Sequence, residues 1–394
     1  MKEIKGFKNC NILINGEIVK TSLLIENGRI SFIGEVNDND LVELDDDKIV
    51  VPGFIDEHIH GAMGSDAMDG TIEDLENISN ALAKEGTTAF LATTMTQSKE
   101  NIDKALENVR DYMKLNKPNG AKVLGVHLEG PFISKKHVGA QPIEHVQDPT
   151  VDNFKHYEEA SGGNIKIVTL AVEVEGAMEL VKYLKSKNII PSIGHSDATY
   201  KDCLEALNNG ASNITHTYNA QKGLHHREIG VVGSAMLFDE FNCEAICDGI
   251  HLSIPAIQLL VKNKPDDKFT LITDAMRAKH MPDGVSELGG QTVYVKGDEA
   301  RLVDGTLAGS VLKMNKAVSN VIKFTNQPLE KVVSYATINP AKNLGVFNDM
   351  GSIDVGKYAN FAIIDKDIKP KQNIKDFILF FFVLKIFLVA LKNF

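Results

Sequence analysis

Cysteine is sparse in this chain, which carries only Cys10, Cys203, Cys243 and Cys247 in 394 residues. That excludes a disulfide-built scaffold, and Cys243 and Cys247 lack the second pair that a structural zinc site needs. Buried free thiols in a reducing cytoplasm are the expectation. Positive charge is also short: 42 Lys and Arg stand against 53 Asp and Glu, a formal net charge of -11. Such a balance argues against a nucleic-acid partner, which requires a basic face. It leaves room for an anionic small molecule, because a few local cations override the global field. The opening run MKEIKGFKNCNILING lacks the apolar segment of a secretory signal, so a cytoplasmic location is expected.

What is present is the material for a large core, with 43% hydrophobic and 24% charged residues. Residues 11–36 read as a β meander, since ILINGEIV and LLIENGRISFIG each place Asn-Gly between apolar runs. The following NDNDLVELDDD is a solvated loop; it lacks the glycine-punctuated spacing of a calcium loop. From Val51 to about residue 345, short apolar runs alternate with helical stretches such as TIEDLENISNALAKEG and DCLEALNNG. Eight strands are read there: VPGFIDEHIH, TTAFLATT, KVLGVHLEGP, IKIVTLAVEV, IIPSIGHS, SNITHTYNA, CEAICDGIH and FTLITDAM. Eight βα units predict an α/β fold, a closed (β/α)8 TIM-type barrel. An open doubly wound sheet is the alternative, but no glycine-rich phosphate fingerprint follows the first strand.

Beyond the barrel, GSIDVGKYANFAIID is strand-like and is expected to pair with the N-terminal meander. The expected division is a small β-sandwich from residues 1–52 and 346–394, with the barrel at 53–345. The run FILFFFVLKIFLVALKNF, at 377–394, is apolar nearly throughout but broken by Lys385. Three readings stand: a strand of the small domain, an altered terminus, or, last, a membrane anchor; no membrane partner is expected. An aggregation-prone apolar strand is the expected liability of this tail.

The chemistry gathers at strand ends. His58 and His60 close strand one, two positions apart and therefore on one face. Glu129 closes strand three, His195 strand five, His216 strand six and Asp274 strand eight. Barrel enzymes place their reacting groups at these ends. One buried histidine is usually a satisfied core residue, but four histidines and two carboxylates on one rim point to a divalent metal. Nitrogen and oxygen ligands without thiolate suit zinc, iron, manganese or cobalt. His127 shares a strand face with Glu129 and reads as an interior support.

HIHG, HLEGPF, GHSDA, THTYNA, DGIH, TDAM and LAGS, in this order, resemble the amidohydrolase superfamily and, more closely, its N-acetylglucosamine-6-phosphate deacetylases. The resemblance implies a metal-dependent barrel with a small β-sandwich built from both termini. It implies that Glu129, His195 and His216 hold one ion, and that His58 and His60 hold a second with Glu129 bridging, giving one or two ions per subunit. It implies hydrolysis of the acetamide of N-acetylglucosamine 6-phosphate by metal-activated water. Asp274 would take the water's proton and return it to the departing amine. Arg227 and His251 match phosphate-binding positions, Asn219 and Ala220 would contact the phosphate end or the sugar, and Ala140 with Leu307, Ala308 and Gly309 would line the pocket. Gln141 stands where some relatives carry a carbonyl-polarising histidine; a loop residue packed on the sugar is its other reading. A homodimer sharing its phosphate site across the interface is expected from the resemblance.

Other readings remain within reach. A cyclic amidase would place a carboxylated lysine at strand four, where IKIVTLAVEV ends without one. Deacetylation of the unphosphorylated sugar is opposed by Arg227 and His251. An inactive scaffold on the same barrel would show a broken ligand set, whereas all six positions are intact.

Overall fold

The computed structural model describes residues 5–36, 38, 40–115 and 119–365. The apolar tail at 377–394 lies outside the described residues. The chain opens with β1 (Gly6–Ile14), β2 (Glu17–Glu26), β3 (Arg29–Gly34) and β4 (Lys48–Pro52). Both Asn-Gly pairs form the hairpin turns expected of them. Asn15 and Gly16 have φ of 51° and 80°, and Asn27 and Gly28 have 51° and 72°. Two successive positive φ values match the right-handed twist of the flanking strands, and Asn and Gly reach them at least cost.

The barrel starts with β5 (Phe54–Ile59), followed by a two-residue hairpin of β6 (Gly61–Ala62) and β7 (Ser65–Asp66). Its other strands are β8 (Thr87–Thr94), β9 (Lys122–Glu129), β10 (Ile165–Leu170), β11 (Ile190–Ile193), β12 (Asn213–Ile214), β13 (Asn242–Ile246) and β14 (Phe269–Ile272). Every one of the eight expected strands is found, in parallel order from β5 round to β14. Between β14 and β5 the ring is drawn together by backbone contacts: the Asp274 N–H donates to the His58 carbonyl at 2.9 Å, and the His60 N–H to the Ala275 carbonyl at 2.9 Å. Residues of β5, β8 and β13 are buried throughout, as strands covered on both sides must be.

Helices α1 (Ile72–Ala83), α2 (Lys99–Lys114), α3 (Val151–Ala160), α4 (Ala177–Ser186), α5 (Tyr200–Asn209), α6 (Gly230–Leu237) and α7 (Ile254–Asn263) fall between the strands. In α2 the side chains Ile102, Ala105, Leu106 and Val109 form the buried stripe, and the Ser98 side chain caps the helix by accepting from the Asn101 N–H.

One element was not anticipated. Inside 53–345, after the eighth strand, the chain forms an antiparallel sheet of β15 (Gly284–Leu288), β16 (Gln291–Lys296) and β17 (Glu299–Leu302) before the barrel resumes. Helices α8 (Met314–Thr325), α9 (Leu329–Tyr335) and α10 (Ile338–Asn343) then complete the ring.

The last described strand, β18 (Phe361–Asp365), pairs antiparallel with β4, and β4 lies parallel to β1, so the first and last described strands share one sheet in the order β18-β4-β1-β2-β3. Both faces of this sheet contribute buried apolar residues. Leu13, Ile49, Val51, Ala362 and Ile364 join the barrel core, while Phe7, Ile12, Leu23, Val50, Phe361 and Ile363 form a second cluster. Phe7 and Phe361 meet edge to face, with ring centroids 5.7 Å apart. Among the described residues no helix is long and apolar enough to cross a membrane.

Candidate metal centre

Six side chains converge at the carboxyl-terminal rim of the barrel, and all are buried. Glu129 is the last residue of β9 and lies at the centre. Its Oε1 is 2.9 Å from His216 Nε2 and 3.2 Å from His195 Nε2, and those two nitrogens are 3.0 Å apart. Its Oε2 lies 3.3 Å from His60 Nε2, while His58 Nε2 is 3.5 Å from Oε1. Asp274 Oδ1 faces the same pair, 3.2 Å from His60 Nε2 and 3.5 Å from His58 Nε2.

The two groups so formed, Glu129 with His195 and His216, and His58 with His60 and Asp274, each have the donor set of a metal site. Metal–nitrogen distances of about 2.0–2.1 Å set ligand atoms roughly 2.9–3.4 Å apart, the spacing of the first group. His58 Nε2 is buried without a hydrogen-bond partner, although it points at the carboxylates. A donor atom so oriented, in a cluster of N and O ligands, fits a divalent ion.

Charge leads to the same reading. Burial works to raise the Glu129 carboxyl, yet the His58 charge and hydrogen bonds from His195 and His216 hold it well below its usual range. Asp274 is likewise opposed by burial but brought to about 2, chiefly by His58 and His60. Burial opposes protonation of His60, yet Asp274 and Glu129 raise it to about 10. The site therefore demands positive charge, met by protons when no cation is bound.

Local backbone turns three of these side chains inward. His195, His216 and Asp274 each follow the end of a strand by two residues, with φ of 47°, 28° and 46°. Non-glycine residues in this region cost about 1–3 kcal/mol each and persist where surroundings fix them. The fixing contacts are specific. The Ser134 N–H donates to the His195 carbonyl at 2.8 Å, and the His216 N–H donates to Glu244 Oε2 at 3.1 Å. Gly194 in the GHSDA motif allows β11 to approach its neighbours, since an added Cβ would meet Thr215 at 2.6 Å and Thr169 at 2.8 Å.

Both ring nitrogens of His127 are engaged within the protein. Its Nδ1 lies 3.1 Å from the Glu57 carbonyl and its Nε2 2.7 Å from Thr169 Oγ1. Burial, then the His58 charge, pushes it well below the usual imidazole range, so it stays neutral. Gln141 reaches the centre: the Thr96 N–H donates to its Oε1 at 2.6 Å, which turns its Nε2 toward Glu129 Oε2, 2.9 Å away.

Above these groups opens a cavity of about 390 Å³. His60, Glu129, His195, His216 and Asp274 form part of its wall, together with Ala140, Gln141, Asn219, Ala220, His251, Leu307 and Gly309. Two expected residues are elsewhere. Arg227 is on an exposed loop beside His226 and does not line this cavity, and Ala308 is fully buried in a core cluster beside it. His251 is held at the cavity by Asp248, whose Oδ2 is 2.6 Å from its Nδ1. Arg301 of β17 also lines the cavity and was not anticipated. The alternating QTVYVK before the Gly297 turn was the signal for its sheet. Glu244 was likewise missed, because one acid inside CEAICDGIH carries no motif. The four cysteines are buried and free.

The amidohydrolase family profile matches residues 49–387. An N-acetylglucosamine-6-phosphate deacetylase of Bacillus subtilis (strain 168) is 43% identical over 93% of this chain and 94% of its own length. The crystal structure of N-acetylglucosamine-6-phosphate deacetylase from Pasteurella multocida superposes with a TM-score of 0.86 at 30% identity, covering 92% of this chain and 96% of that one. A mutant of the Mycobacterium smegmatis deacetylase in complex with N-acetyl-D-glucosamine-6-phosphate gives 0.85 at 26% identity, over 93% and 95%. The chain belongs to the amidohydrolase family, among its N-acetylglucosamine-6-phosphate deacetylases.

Proposed function

We propose that this chain hydrolyses the acetamide of N-acetyl-D-glucosamine 6-phosphate, releasing acetate and D-glucosamine 6-phosphate in amino-sugar catabolism in the cytoplasm. The observation that carries the reading is the placement of Asp274. Its carboxylate faces both His58 and His60 beside the Glu129–His195–His216 group, on the wall of a cavity of small-molecule size. The substrate named for the relatives is the second support.

Glu129, His195 and His216 would hold one divalent ion, and His58 and His60 a second with Glu129 between them. Bound there, a divalent ion supplies Lewis acidity, which draws the pKa of water from 15.7 towards about 7. The chain's own residues do the rest. Asp274, held ionised at neutral pH, accepts the proton of the attacking water. It then delivers that proton to the nitrogen, because an amide nitrogen departs as an amine and not as an anion. Gln141 aims an N–H at the same centre, placed to donate to the developing oxyanion.

At the other end of the substrate, His251 faces the cavity and is suited to phosphate when protonated. Arg227 projects from an exposed loop outside its own chain's cavity, which agrees with a homodimer in which the partner subunit completes the phosphate site. Asn219, Ala220, Ala140, Leu307 and Gly309 shape the sugar subsite.

Acetate release is the test, with phosphorylated and unphosphorylated sugar side by side, before and after chelation. Release from the phosphorylated sugar alone, lost with chelator and restored by metal, is the expected result. No release from either sugar, with the protein folded and metal present, overturns the reading.

A further inference from the structure

The buried carboxylate of Glu244, on β13, is used by none of the chemistry above. It is fully buried beneath the metal centre and grips both halves of it. Its Oε2 lies 3.0 Å from His58 Nδ1 and also accepts the His216 N–H at 3.1 Å. Its own carbonyl accepts the Thr217 N–H at 2.9 Å, on the far side of His216. Side chain and backbone of one residue thus bracket a histidine held at a φ of 28°.

A carboxylate oxygen only accepts hydrogen bonds, so the His58 nitrogen facing it must carry the ring proton. In the neutral form that ligates an ion, the lone pair of the ring is then left on Nε2, the atom that points unpartnered at Glu129 and Asp274. A ring free to turn or to exchange tautomers would present a donor there instead of a ligand. His127 stacks edge-on against His58, with centroids 4.4 Å apart, and restricts the ring from another side.

We infer that Glu244 is a positioning residue that selects the His58 tautomer and so builds the second ion's site. The inference rests on the reading that His58 and His60 hold an ion. It concerns binding, ahead of any turnover, and is therefore separable from Asp274 chemistry. Partners of this kind are worth about 10–100-fold in metal affinity when removed from ligating histidines.

The experiment is titration of metal-stripped full-length protein with Co2+, followed by visible absorption and by bound-metal analysis. His60→Ala identifies which binding step belongs to the second ion. Glu244→Leu, matched in bulk, is expected to weaken that step about 10–100-fold and the other step less, because the Glu244 side chain meets the His58 ring but only the backbone N–H of His216. Glu244→Gln retains an acceptor oxygen and is expected to weaken it by less than Leu but by at least about threefold. Thermal melting of each metal-free variant establishes folding, and the Gln variant decides should Leu not fold. Wild-type affinity for the second ion in a folded variant overturns the role, as does an equal loss of both ions. A single binding step in the unmodified protein instead overturns the two-ion reading itself.

Discussion

Two buried surfaces in this molecule follow opposite rules, and the difference separates stability from function. In the terminal sheet, Phe7, Ile12, Leu23, Val50 and Phe361 fill the space between strands with apolar bulk, and the backbone relaxes into Asn-Gly turns. At the barrel rim, burial is as complete, yet the occupants are His58, His60, Glu129, His195, His216 and Asp274. There the backbone is bent into the left-handed region at three of the six. A folded chain tolerates buried imidazoles and carboxylates in contact when a cation, or a set of protons, neutralises them. The terminal sheet needs no such visitor. Substitutions in one region should therefore leave the other's property intact.

The largest expected effect is on catalysis. Asp274→Asn keeps the volume and removes the proton acceptor, so kcat is expected to fall about 10²–10⁴-fold, measured as acetate release, with the chain still folded. A variant within threefold of the parent would break the assignment.

Next comes the mirror experiment in the terminal sheet. Phe361→Ala should cost about 3–5 kcal/mol in urea unfolding, because it empties a packed site against Phe7. The folded fraction should keep the parent's kcat, and a lower kcat would show that the two surfaces are coupled.

A smaller and graded effect links pH to the ions. His60 keeps its proton up to about 10 in the metal-free chain, since Asp274 and Glu129 outweigh burial. An ion needs the neutral imidazole, so raising the pH favours loading and lowering it opposes loading. Apparent metal affinity is expected to rise about tenfold per pH unit for each proton expelled, between roughly pH 6 and 9. Calorimetry in buffers of different ionisation enthalpy counts those protons, and a pH-independent affinity would contradict the charge assignment.

The smallest effect sharpens the contrast from the side of structure alone. Gly16 has a φ of 80° with open space around it, so Gly16→Ala meets no atom and is penalised only by its backbone angle. About 1 kcal/mol of stability and no change in activity are expected, read by thermal melting and by acetate release.

By itself, the sequence determined the order of the eight barrel strands, the two hairpin turns and the six rim residues. Each is a local signal: apolar runs of strand length, Asn-Gly pairs, and polar residues at strand ends where a barrel keeps its chemistry. The short strands β11 and β12 were legible for the same reason, although only four and two residues are hydrogen-bonded as strand. The amide orientation of Gln141, by contrast, depends on Thr96, 45 positions away. Closure of the ring rests on backbone contacts between residues 58–61 and 274–275, more than two hundred positions apart. Arg301 reaches the cavity through a three-stranded insertion whose place against the barrel no local pattern encodes. Glu244 is an unremarkable acid in a strand until folding sets it under His58 and His216. Residue type and spacing fix which groups are available, because periodicity and turn chemistry are local. Which atoms face one another, in which tautomer and with what charge, is decided only when distant segments pack and water is expelled between them.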